Sequence, residues 1–134
     1  TDDKFENRSF VEFKNAYYNR PYLSIKDGLM NMRFIWKYQG EEWIFFDKII
    51  LLSNGKKIEI NNLEPERDVS IGYVTETVDI SGTKEIYNFL NNAFLTNSDI
   101  DIRFQGKKVY DSKFKNSDIK IFKSIFNVYE KLKK

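Results

Sequence analysis

Carboxylates are the main chemical equipment of this chain, because it contains neither cysteine nor histidine. Thiol nucleophiles, imidazole bases, disulfides and nearly every zinc, copper or haem site are thereby excluded. Three acidic groupings remain: Glu41 with Glu42, Asp99 with Asp101, and Glu64, Glu66 and Asp68. Two carboxylates alone can hydrolyse a glycoside if their separation is right, but spacing in sequence does not fix it. They fall short of the six to eight oxygens that calcium takes, and no D-x-D-x-D-G loop is present, so no metal is expected. Asp99 and Asp101 alternate with Ile100 and Ile102 and share a side with Arg103, the pattern of a solvated strand face. Arg67 lies within the third grouping and is expected to pair there. Glu76 is the anomaly: it shares strand parity with Val74, Val78 and Ile80, where an unpaired carboxylate would be costly. A lysine or arginine reaching it, on a strand near a sheet edge, would resolve the conflict. No glycine-rich nucleotide loop or G-x-S-x-G elbow occurs. Catalytic residues and cofactors are therefore not assigned.

Binding is the remaining chemistry, and two features could carry it. The stretch "FIWKYQGEEWIFFDKIILLSNGKK" (34–57) holds both tryptophans. Phe34, Trp36, Trp43, Phe45 and Phe46 read first as core, while Trp36, Tyr38 and Trp43, close to one turn, are candidates for partner contact. Second, from Gln105 onward nine lysines stand against Asp111, Asp118 and Glu130. Lys107 and Lys108 in the last hairpin, with Lys120 and Lys123 on the last helix, are candidates for a phosphate or an anionic lipid surface, or for contact with a protein partner through this basic C-terminal face. Lysines on a solvated helix face that complement its dipole are the plainer explanation.

The elements that must position these groups follow from periodicity. Phe10 to Tyr18 reads as a first strand. Asp27-Gly28 and Asn54-Gly55 mark two tight hairpins, since both central residues of a type I′ turn need positive φ. Between them Met30, Met32, Phe34, Trp36 and Tyr38 alternate with Asn31, Arg33, Ile35 and Lys37, giving a half-buried strand. "WIFF" and "IILL" are apolar at both parities and predict a strand covered on both faces, bent at Asp47 and Lys48. Residues 61–72, "NNLEPERDVSIG", read as the longest irregular stretch, and "YVTETVDI" as a strand. Ser81 or Thr83 caps a helix to about Leu95, striped by Ile86, Phe89, Leu90, Ala93 and Phe94. "DIDIRF" and "VYDSKF" form a hairpin, and Asn116 or Ser117 caps a final helix with Ile119, Phe122, Ile125, Phe126, Tyr129 and Leu132 on one side. The expected fold is α+β, six to eight mostly antiparallel strands in a sheet or sandwich with two helices, the second at the C-terminus. One domain, 1–134, is expected, with residues 1–8 a flexible lead-in and 133–134 frayed.

At 134 residues, 41% hydrophobic and 31% charged, the composition is that of a folded globular domain. No apolar run approaches the roughly 18 residues of a membrane helix. The first residue is not methionine, which reads as a processed N-terminus. The polar start "TDDKFENRSF", the abundance of Lys, Ile, Asn and Phe with only two alanines, the lack of cysteine, and the run "VDISGTKEIYNFLNN…DIDIRFQGKKVYDSKF" resemble the mature domains of small exported lipoproteins from AT-rich bacteria, spirochaetes of the Borrelia type among them. That resemblance implies a lipid-anchored domain at the cell surface or in the periplasm, binding a protein partner of host or envelope origin without catalysis. The alternative is a nucleic-acid-binding module acting through the lysine-rich C-terminal hairpin and helix.

Overall fold

The computed structural model describes residues 2–3, 8–12 and 18–133. Ten strands and two helices follow one another as β1 (Asp2–Asp3), β2 (Arg8–Val11), β3 (Arg20–Lys26), β4 (Leu29–Gly40), β5 (Lys48–Ser53), β6 (Lys56–Ile60), β7 (Glu66–Ser70), β8 (Tyr73–Ser81), α1 (Lys84–Leu95), β9 (Asp101–Gln105), β10 (Val109–Lys113) and α2 (Asn116–Leu132). They build a six-stranded sheet, ordered β1-β2-β3-β4-β8-β7, and a four-stranded sheet, ordered β10-β9-β5-β6. Every pairing among them is antiparallel. The α+β class and the two helices stand as expected, and the strand count exceeds the six to eight anticipated.

β4 organises the core. Its period of two turns Met32, Phe34, Trp36 and Tyr38 inward, all buried, and leaves Asn31, Arg33 and Lys37 on the opposite face. Phe34 and Trp36 meet Phe122 of α2, each at 6.2 Å between ring centroids, and Trp36 also meets Phe114 at 6.1 Å. Tyr38 instead meets Tyr110 and Phe104 of the four-stranded sheet, at 5.1 and 6.4 Å. Helix α2 and the second sheet thus share the inner face of the first. α1 closes the core with Ile86, Leu90, Ala93 and Phe94, Phe94 lying 5.6 Å from Phe126.

The turns at Asp27-Gly28 and Asn54-Gly55 have positive φ at both residues, as the type I′ geometry demands. Thr83 caps α1, its side chain accepting from the Ile86 N–H at 3.2 Å. Four expectations are corrected. The "WIFF" segment, 43–46, forms no strand, because its N–H groups turn toward a side chain, as described below. β7 lies inside the stretch read as irregular; all its residues are exposed, so no alternation announced it. α2 begins one residue early, with Lys115 as the preceding residue and the Asp118 carboxylate accepting from its backbone N–H at 3.3 Å. Within the stretch expected to be a flexible lead-in, Asp2–Asp3 pair with Arg8 and Ser9. Of the strand expected from Phe10 to Tyr18, only Phe10 and Val11 belong to β2, and 13–17 lie outside the described residues, as does Lys134.

Candidate binding surface

Glu76 sits mid-strand in β8, pointing inward between Val74 and Val78, and is completely buried. An unpartnered carboxylate there would be untenable, and its four contacts show why it is not. Oε2 accepts from the backbone N–H groups of Ile44 at 2.8 Å and Phe45 at 3.0 Å, and Oε1 accepts from Phe46 N–H at 3.0 Å and from Arg67 Nε at 3.2 Å. Three successive N–H groups converging on an anion form a nest, and charge-assisted bonds of this kind are the strong ones. Arg67 comes from β7, so it pairs with Glu76 across the sheet edge and not with the acids of its own stretch.

The nest requires the chain to reverse its curvature within one residue, and Phe45 does so at φ 53°. Among the described residues, the other non-glycine positions with positive φ are Asp27, Asn54, Asn62 and Asn97, types that tolerate this region. A phenylalanine there is strained. The surroundings over-determine the conformation: the Ile44 carbonyl accepts from Lys107 and Lys108 N–H at 2.9 and 3.3 Å, and Asp47 N–H donates to the Gln105 carbonyl at 3.0 Å. Gly106 passes so close that a Cβ would collide with the Phe45 carbonyl.

What the strain accomplishes is to hold an aromatic ring at the surface. Phe45 is 40% exposed, whereas its neighbours Ile44 and Phe46 are buried. Trp43, half-buried, lies 6.2 Å from it. The Arg67 guanidinium and the Lys107 ammonium sit 5.1 and 5.0 Å from the Phe45 centroid, within cation–π range. Beside them Lys108 Nζ meets Glu42 Oε2 at 2.6 Å, which holds the Glu42 carboxyl below the usual range. Burial, reinforced by the charge of Glu76, pushes the Tyr38 hydroxyl up; that hydroxyl donates to the Glu42 carbonyl at 2.7 Å.

Of the residues singled out from sequence, the structure gathers Trp43, Lys107 and Lys108 at this surface. Trp36 is wholly buried and Tyr38 nearly so, so neither can contact a partner; the inward parity of β4 outweighs their nearness to the turn. Lys120 and Lys123 are exposed on α2, a different element from the Lys107–Lys108 turn, and Lys123 borders a hollow with Tyr87 and Asn91 of α1. Asp99 and Asp101 approach Lys113 at 3.9 and 3.6 Å on an open face. Phe45, expected in the core, is instead exposed because its positive φ turns the ring outward, and neither Arg67 nor the anchoring role of Glu76 is assigned to a site by the sequence. Only the parity of Glu76 signalled anything.

Among the described residues no three His, Cys, Asp or Glu side chains are placed to hold a metal, and no helix is long and apolar enough to cross a membrane. Comparison with protein-family models, with curated proteins and with solved structures finds no match.

Proposed function

We propose that this chain is a binding domain whose contact surface is the Phe45 ring, with Trp43 beside it and the cations Arg67, Lys107 and Lys108 around it. The observation that carries the proposal is the strained φ of Phe45, held by Glu76 so that an aromatic side chain faces solvent. Backbone strain of this kind persists where the surroundings enforce it and clusters at ligand-contacting sites. A rigid aromatic flanked by cations suits a protein partner presenting an acidic, partly apolar segment: the ring supplies contact area at low entropic cost and the cations give orientation and on-rate. A cationic partner is disfavoured, because two positive groups already occupy the ring.

The setting we propose is an exported, lipid-anchored bacterial envelope or surface protein, a reading supported by residue usage. The test is retention of an acidic partner from an envelope extract by the immobilised domain, compared with Phe45→Gly and Lys107→Glu. Loss in both variants, with retention by Lys120→Glu, is expected. Equal retention by all of them would overturn the assignment of the surface, and retention of nucleic acid lost on Lys120→Glu would favour a nucleic-acid module instead.

A further inference from the structure

The outer face of the four-stranded sheet is a second surface, separate from the Phe45 loop. Inward, β5, β6 and β9 bury Ile49, Leu51, Ile60, Ile102 and Phe104. Outward, cross-strand register arranges two rows that run across the strands. Lys57, Leu52, Asp101 and Lys113 are successive partners in one, and Glu59, Ile50, Arg103 and Asp111 in the other. All but Glu59 line one shallow hollow. Leu52 is 43% exposed at its centre.

Pairing within the sheet explains part of the pattern. Arg103 forms a two-pronged contact with Asp111 at 2.7 and 2.9 Å, and Lys48 meets Glu59 at 3.3 Å. It does not explain Lys57, which has no ion pair among the described residues, nor the two aliphatics placed side by side between the charges.

We infer that this face associates with a second copy of the chain. The charges are self-complementary under one operation: a twofold axis lying in the face, running across the strands midway between the rows. Such an axis lays each row over the other row of the second copy. Lys57 then faces the partner's Glu59, Leu52 faces the partner's Ile50, Asp101 faces the partner's Arg103, and Lys113 faces the partner's Asp111. All four contacts are favourable, and the residues facing each other interchange as an isologous interface requires. The strands of the two sheets run nearly aligned, the ordinary arrangement for packed sheets. A twofold axis along the strands would instead oppose Lys57 to Lys113 and Glu59 to Asp111, so the pattern selects one geometry.

Size sets the strength. Four strands at roughly 4.8 Å spacing and five residues at roughly 3.4 Å give a face of about 300 Å², well below the roughly 800 Å² per partner of a stable complex. The dimer is weak, forms at high local concentration such as on a membrane surface, and loosens as salt screens its rim.

Sedimentation velocity over a concentration series at low salt tests this. The unmodified chain should show self-association, weakened about tenfold in Lys57→Glu and in Glu59→Lys, where like charges meet across the axis. An equimolar mixture of the two variants should recover it, because the Glu at position 57 of one then faces the Lys at position 59 of the other, and the Glu59 of the first faces the Lys57 of the second. Thermal melts confirm that each variant is folded. A chain that stays monomeric throughout, or a mixture that sediments as the sum of its parts, would overturn the inference.

Discussion

Removing the Glu76 carboxylate should be among the costliest single changes in this chain. Glu76→Ala leaves the N–H groups of Ile44, Phe45 and Phe46 without their acceptor and Arg67 without its inward partner. Each buried donor left unpaired costs roughly 1–3 kcal/mol, and breaking a buried charged pair by deleting one member typically costs about 3–5 kcal/mol. Relaxation of the exposed Phe45 turn lets water reach part of the nest, so about 3–5 kcal/mol is the expected total. Against a domain stability of about 5–15 kcal/mol that is a large fraction, and with an unfolding entropy of roughly 2.1 cal/mol/K per residue it lowers Tm by about 10–18 °C. Glu76→Gln keeps the volume and one acceptor oxygen but turns an amide toward a backbone N–H, and should cost about half as much. Arg67→Ala strips the countercharge from a fully buried carboxylate that keeps its three N–H donors, and should cost about 2–3 kcal/mol. The assay is thermal and urea unfolding by far-UV circular dichroism, with amide exchange at residues 44–46 as the local readout. Those three amides should lose protection selectively in Glu76→Ala. A Tm within about 3 °C of the unmodified chain would refute the reasoning.

Phe45→Gly should change stability by less than about 1 kcal/mol: relief of the left-handed penalty, about 1–2 kcal/mol, offsets the partial burial lost and the chain entropy of glycine. Phe46→Ala, next door and fully buried, should cost about 3–5 kcal/mol. Gly106→Ala should destabilise by forcing the Phe45 carbonyl aside, visible as a lowered Tm. On the outer face of the larger sheet, the Tyr22 hydroxyl donates to Asp79 at 2.6 Å, and burial together with that bond pushes its pKa up to about 12. Because the folded value is raised above the ordinary 10, its contribution is present below pH 10 and is lost as pH rises toward 12; Tyr22→Phe should remove this part of the alkaline loss of stability, followed by melts and tyrosinate absorbance.

Much of the scaffold was legible where one local rule governed. The period of two in β4, the Asp-Gly and Asn-Gly turns and the apolar stripes of both helices each depend on neighbours within a few residues, and they are found, except that Leu132 at the end of α2 is exposed. The contact surface depends on partners far apart in sequence. Residues 43–46 carry a strand-like composition, yet their N–H groups bond to a side chain thirty or more positions away, which no window over the segment reveals. β7 escaped because an edge strand exposed on both faces has no hydrophobic alternation to show. Phe45 gave no cue at all, since positive φ is foreshadowed by Gly, Asn or Asp and here falls on an aromatic. Glu76 broke the inward pattern of β8, and that break led to the site. Trp36 reads first as core, and the candidacy of Trp36 and Tyr38 for partner contact, drawn from proximity to a turn, runs against their own inward parity.

The central claim, that the strained Phe45 ring is the partner-binding contact, is tested most directly by a photoreactive phenylalanine analogue placed at position 45 and irradiated in an extract of the organism that makes the chain. A crosslink to an acidic protein that is formed at position 45, is suppressed by Lys107→Glu and is absent from an analogue at position 123 is the expected result. No crosslink at position 45, or crosslinks at position 123 alone, would contradict it.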